Sequence, residues 1–304
     1  MDPLTICAEP RALGSSSLRV FPIGYGCWRL AGSGVPEARR KIEAALEVGI
    51  QLFDHADVYG GGQAEELFGR VLEEAPALRP RMVIATKAGV VPGVPYNATR
   101  EHLIRAAEAS LRRLRCEVID LFFVHRPDLL AHPEETARAL EDLRASGKIR
   151  EAGVSNYSPA QSAVLQHFLS FRLLAHQREW SCIWPLVVHD GTIEQCYTGQ
   201  MGLIAWSPLA GGKLLLSRER AEKEKIANVL VPVIETLDDL AKRHGVGRAA
   251  VALAFLLAHP VGAIPIVGTQ KIERIRAVQE AFRVRLERSD WYALFQAGTG
   301  KRLP

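Results

Sequence analysis

The sequence predicts a (β/α)8 barrel: one TIM-barrel domain over residues 1–304, with short N-terminal and C-terminal additions. Three observations carry that prediction. Short apolar runs alternate with amphipathic stretches along the chain, in about eight strand–helix units spaced by roughly 30 to 40 residues. The runs are apolar without strict alternation, as strands are when helices cover both faces of a parallel sheet. No break in composition marks a second domain. An open doubly wound sheet is the other arrangement such units allow.

The elements follow in order. About fifteen residues precede LRVFPIG (18–24), the first strand. PEARRKIEAALEVG (36–49) reads as a helix with Pro36 in its first turn and Gly49 at its exit. IQLFD (50–54) and MVIATK (82–87) are the second and third strands, and TREHLIRAAEASLRRLR (99–115) is a helix with Thr99 as its cap. IDLFFVH (119–125) is the fourth strand, followed by the helix PEETARALEDLRASGK (133–148). EAGVS (151–155) leads into the helix SPAQSAVLQHF (158–168), then come the strands RLLAHQ (172–177) and GLIAWS (202–207). VLVPVIETLDDLAKRHG (229–245) is a helix. The most apolar stretch, Val251 to Gly268, is interrupted by His259, Pro260 and Pro265, so it reads as a buried helix, a turn and the eighth strand, AIPIVG, rather than a membrane span. The segment after Val284 is the C-terminal addition.

Composition narrows the function classes. With 48% hydrophobic and 24% charged residues the chain is ordinary globular protein, and a net charge of +4, spread without a basic block, argues against nucleic-acid binding. That slight positive balance suits a phosphorylated small molecule. The five cysteines (Cys7, Cys27, Cys116, Cys182, Cys196) are odd in number and form no CxxC, which argues against disulfides and structural zinc and for a reducing cytoplasm. MDPLTICAEPR has no signal-peptide pattern. No strand is followed by GxGxxG, so a dinucleotide would not be held by a Rossmann fingerprint.

In a barrel the chemistry sits where strands end at the C-terminal face. The predicted ends carry Asp54 with Tyr59 in the loop beyond it, Lys87, His125, Ser155 and Asn156, Gln177, and Trp206 with Ser207. Taken singly, each has an ordinary structural explanation. Four ionisable groups at three consecutive strand mouths do not. A phenol titrates near 10 and needs help to exchange a proton at neutral pH, and a nearby ammonium draws its pKa down. A carboxylate fixes the ammonium, and a neutral imidazole orients a carbonyl oxygen. Asp54, Tyr59, Lys87 and His125 together describe a general acid for carbonyl reduction, which leaves a hydride source, a nicotinamide cofactor, to be supplied.

These residues lie in motifs that run in order through the chain: GYGCW, FDHADVYGGGQAEELFG, ATKAG, DLFFVHRPD, GKIREAGVSNY, AHQ, AWSPLAGGKLL and GTQKIER. Over about Leu18 to Glu280 the chain resembles the aldo-keto reductases. The resemblance implies a (β/α)8 barrel and NADPH-dependent reduction of aldehydes and ketones. It makes Tyr59 the proton donor, Lys87 its pKa-lowering partner, Asp54 the ion pair that holds Lys87, and His125 the orienting group. Ser155, Asn156 and Gln177 would hydrogen-bond the nicotinamide amide, and Trp206 would stack on its ring. Ser207, Leu209 and the turn Gly211–Gly212–Lys213 would follow the pyrophosphate. Gly268, Thr269, Lys271 and Arg274 would form the cup for the 2′-phosphate, unless Lys271 and Arg274 are merely solvated helix charges.

The chain departs from the family pattern at Gly268, where many members carry a basic residue, and at Ala277 and Val278, where many carry Glu-Asn. Arg126 replaces a common bulky apolar residue. If Arg126 or Arg29 faces the pocket, the substrate carries an anionic group; the alternative is a structural pair between Arg126 and Asp128. Trp28, Trp180 and Trp184 are pocket candidates, the last two equally candidates for the core. The expected partner is a small carbonyl compound, with no nucleic acid, membrane or metal. A regulatory subunit that holds NADPH with little turnover would keep the same four residues, as the β subunits of potassium channels do. A metal-dependent hydrolase would need more His and carboxylate ligands than stand around Lys87.

Overall fold

A computed structural model describes residues 4–304. Eight parallel strands close a barrel: β3 (Gly24–Gly26), β4 (Leu52–Asp54), β5 (Val83–Ala88), β6 (Ile119–Val124), β7 (Ile149–Ser155), β8 (Ala175–Glu179), β9 (Gly202–Trp206) and β10 (Ile264–Val267). The seam joins the last strand to the first, with Ile266 opposite Gly24 and Val267 opposite Tyr25. A short antiparallel hairpin, β1 (Arg11–Ala12) and β2 (Arg19–Val20), precedes the barrel.

Helices cover the outside. In the first half these are α1 (Val35–Glu47), α2 (Gln63–Glu74), α3 (Arg100–Leu114), α4 (Pro133–Ala145) and α5 (Pro159–His167). The second half has α6 (Thr192–Gly199), α7 (Arg218–Ala221), α8 (Ala227–His244), α9 (Arg248–Leu257) and α10 (Ile272–Arg276), then α11 (Arg288–Thr299) in the C-terminal addition. Among the described residues no helix is long and apolar enough to cross a membrane.

The core has two layers. Leu52, Val83, Ala85, Leu121, Phe123, Ile204, Ile264 and Ile266 fill the barrel interior, and Leu13 and Val20 of the hairpin region join them. The N-terminal addition therefore packs into the bottom of the barrel, opposite the C-terminal ends of the strands. The larger layer lies between strands and helices. β5 and β6 are buried at every position, which explains why their sequences are largely apolar on both faces. At Gly153 an added Cβ would stand 2.5 Å from the Phe123 ring, so the interior is filled to the backbone there.

The structure differs from the sequence reading in several elements. LRVFPIG is not one strand: Arg19–Val20 belongs to the hairpin, and the barrel strand begins at Gly24. Pro22, with no N–H for a ladder, stands at the bend between them. Thr99 occupies the cap position of α3, yet its hydroxyl donates to Asn97 Oδ1 at 2.7 Å instead of capping the helix. The helices α2, α6 and α7 have no counterpart in the sequence reading; the first opens directly from three glycines and the others are short.

Candidate active site

Asp54 ends β4 and Lys87 sits in the neighbouring β5. The Lys87 ammonium donates to both Asp54 oxygens at 2.8 Å and to the His55 carbonyl at 2.6 Å. Tyr59 opens a turn, Tyr59–Gly62, in which Gly60, Gly61 and Gly62 have φ of 60°, 64° and 93°. Those left-handed conformations fold the loop back over the barrel mouth, and glycine adopts them without strain. The Tyr59 ring comes to rest 5.2 Å from Lys87 Nζ and 6.2 Å, edge to face, from His125. The chain thus brings Asp54, Tyr59, Lys87 and His125 into one small space.

The electrostatics of that space are set by burial. Burial and the Lys87 charge, with Arg126 behind them, lower the His125 pKa to about 3, so the imidazole is neutral at neutral pH. Burial raises the Tyr59 phenol, against the Lys87 ammonium, which draws it down; the net shift is upward, opposite to the lowered pKa the sequence suggested. Tyr59 therefore keeps its proton at neutral pH. Burial disfavours the Lys87 charge, but Asp54 and Tyr59 outweigh it and the ammonium is retained.

A cavity of about 920 Å³ runs from these residues across the barrel rim. Asp54, Tyr59, His125, Ser155, Asn156, Gln177 and Trp206 line its inner end. Hydrogen bonds fix this end: Gln177 Nε2 donates to Asp54 Oδ1 at 2.7 Å, and Trp206 Nε1 to Asn156 Oδ1 at 3.0 Å. Asn156 Nδ2 in turn donates to the His125 carbonyl at 3.2 Å and to Ser155 Oγ at 2.8 Å. Ser207, Leu209, Gly211 and Gly212 line the middle, where an added Cβ at either glycine would meet nothing within 4 Å. Lys213 does not line the cavity; its ammonium bonds Glu224. Gly268, Thr269, Lys271 and Arg274 line the outer end, and neither cation there forms an ion pair among the described residues.

Sequence reasoning missed part of the lining. Gly247, Arg248, Ala250 and Leu253, at and within the start of α9, and Glu280 form the outer wall, with Gly247 N donating to Glu280 Oε2 at 3.3 Å. A nearly unbroken apolar helix gave no signal that one of its ends faces a cavity. At the mouth, Trp28 is 61% exposed and lines the cavity together with Arg29 and Arg126. The Arg126 guanidinium lies 6.0 Å from the Trp206 ring centre. The pair with Asp128 does not form, because that carboxylate accepts from Ala98 N and Leu130 N. Trp180 is fully buried, and Trp184, 44% exposed, lies outside the cavity.

The residues present fit a nicotinamide dinucleotide. The cavity is elongated, one flat indole is held on its wall, its middle is glycine backbone with open space, and its outer end carries two unpaired cations. The Aldo/keto reductase family model matches residues 22–297. The chain is 43% identical to a 6-dehydroglucose reductase of Novosphingobium aromaticivorans, over 100% of both chains. It is 36% identical to a 6-dehydroglucose reductase of Agrobacterium fabrum, over 95% of this chain and 98% of that one. Among solved structures, a thermostable aldo-keto reductase in complex with the inhibitor epalrestat superposes with a TM-score of 0.81 at 26% identity, over 95% of this chain and 99% of that chain. The chain belongs to the aldo/keto reductase family of oxidoreductases.

Proposed function

We propose that the protein reduces an aldehyde to the primary alcohol with NADPH, and that its substrate is a sugar aldehyde of the 6-dehydroglucose type. The observation that carries the reaction is the convergence of Asp54, Tyr59, Lys87 and His125 on the floor of a long cleft. The substrate class rests on the two full-length relatives named for that activity.

The neutral imidazole of His125 and the Tyr59 hydroxyl hold the carbonyl oxygen. NADPH, when bound, supplies the hydride to the carbonyl carbon. Tyr59 gives its proton to the oxygen as negative charge develops there, and the Lys87 ammonium stabilises the phenolate left behind. Asp54 keeps the ammonium in place and is itself held by Gln177. Trp206, Ser155, Asn156 and Gln177 are the residues that would hold the nicotinamide, Ser207, Leu209 and the two glycines the pyrophosphate, and Thr269, Lys271 and Arg274 the 2′-phosphate. Two cations that form no ion pair among the described residues are what favour the phosphorylated cofactor.

The test is NADPH oxidation with 6-dehydroglucose beside aromatic, aliphatic and anionic aldehydes, for wild type and Tyr59→Phe. Turnover should fall by about 10²–10⁴ in the variant while NADPH binding is unchanged. Tight NADPH binding with no turnover on any aldehyde would replace this reading with that of a cofactor-holding regulatory subunit.

A further inference from the structure

A buried lysine outside the four site residues holds two loops of the cleft together. Lys41 lies on α1 and is only 3% exposed. An ammonium is expensive to bury unless each of its three N–H groups finds a partner. It finds three: Glu37 Oε1 at 2.6 Å, Ser33 Oγ at 2.8 Å and Gln270 Oε1 at 3.0 Å. Ser33 belongs to the loop after β3 that carries Trp28 and Arg29 at the cavity mouth. Gln270 stands between Thr269 and Lys271, at the cavity's outer end.

The network continues inward. Gln270 Nε2 donates to Tyr25 Oη at 3.3 Å, and Tyr25 Oη donates to the Thr269 carbonyl at 3.1 Å. Tyr25 is fully buried, so it is a fixed anchor. The Thr269 carbonyl is thereby turned into the barrel wall, and the trans peptide points the Gln270 N–H the other way. The side chain of Gln270 is oriented from both ends, by Lys41 at its oxygen and Tyr25 at its nitrogen.

We infer that Lys41 is a positioning residue for cofactor selection: acting through Gln270, it fixes the loop Gly268–Lys271 in the shape that receives the 2′-phosphate, and through Ser33 it ties that loop to the substrate mouth. The inference rests on the reading of this cleft as an NADPH site. It deepens that reading by naming a residue that touches neither ligand. Without Lys41 the half-buried Gln270 oxygen loses its charged donor, and the loop loses one of its two anchors. NADH, which has no 2′-phosphate, should be far less sensitive.

Direct binding of NADPH and of NADH, followed by nicotinamide fluorescence, tests this in wild type, Lys41→Met, Gln270→Leu and the double variant. Lys41→Met should weaken NADPH by about tenfold and NADH by less than about twofold. Gln270→Leu leaves the Lys41–Glu37 pair intact and should give the same drop in the NADPH-to-NADH ratio. Because both act on one contact, the double variant should lose no more than either single one. A wild type with no preference for NADPH would sink the underlying reading. A wild-type preference that survives in Gln270→Leu, or in a folded Lys41→Met, would overturn the role of Lys41. Additive losses in the double variant would also overturn it.

Discussion

The Lys87 ammonium spans both oxygens of the Asp54 carboxylate at 2.8 Å, and the two residues are 1% and 4% exposed. Removing one partner strands the other charge in a buried position. Lys87→Met should therefore destabilise the fold by about 3–5 kcal/mol. Pairing it with Asp54→Asn removes the stranded charge and should restore much of that loss in urea unfolding, while activity stays absent in both variants. Additive destabilisation would show that the two groups do not act as a pair.

Stability should fall as the solution is acidified from neutrality. Burial first, with nearby cations, holds His55 and His125 near pKa 3 and His176 near 4, against 6.5 for an ordinary histidine. Between about pH 6.5 and 4 the unfolded chain binds protons at these positions that the folded chain refuses, so stability present above 6.5 is lost as pH falls. Asp57 works the other way: burial and Glu65 raise it to about 7, so the folded chain holds its proton there and gains stability below that pH. Three histidines outweigh one aspartate, and the net slope should be on the order of 2–3 kcal/mol per pH unit. Urea midpoints measured from pH 7.5 to 5 check this; a flat profile would contradict it.

Asn156 holds the Trp206 indole, the His125 carbonyl and the Ser155 hydroxyl from a left-handed backbone at φ 60°. Asn156→Ala should lose the indole anchor and also strain the backbone by about 1–2 kcal/mol. Asn156→Gly relieves only the strain. NADPH affinity should fall about tenfold in both, with the glycine variant the more stable in thermal unfolding. Equal thermal midpoints would show that the backbone is not strained.

Among the described residues Arg126 forms no ion pair, and its guanidinium lines the cavity near the Trp206 ring. Arg126→Leu should raise KM for an anionic aldehyde by about tenfold and for a neutral one by much less, with kcat little changed. Equal effects on both substrates would assign the guanidinium to packing on Trp206 alone.

The inner end of the cleft was legible because its residues follow apolar runs: a polar side chain at the end of a buried strand has few places to point but the barrel mouth. Asp54, His125, Ser155, Asn156, Gln177 and Trp206 follow that pattern and line the cavity, with Lys87 buried beneath them. The outer end was less legible. Its wall comes partly from the start of α9, where apolar residues packed on the barrel hide one turn that faces the cavity. Lys41 has the spacing of a solvated helix lysine, and its burial depends on Gln270, 229 residues away. Arg126 and Asp128 are two apart in sequence, yet the carboxylate is taken by backbone N–H groups of its own neighbourhood. Contacts fixed by distant loops leave no local pattern to read.

The seam between β3 and β10 also sets when the molecule becomes able to bind. Tyr25 and Thr269 are separated by 244 residues and meet only when the last strand docks against the first. Closing so long a loop is slow, and synthesis delivers β10 long after β3. Until then the outer end of the cleft has only half its wall. Cofactor capture is thus a late event in the life of the chain, and mass action makes the captured cofactor a clasp on the newly closed barrel.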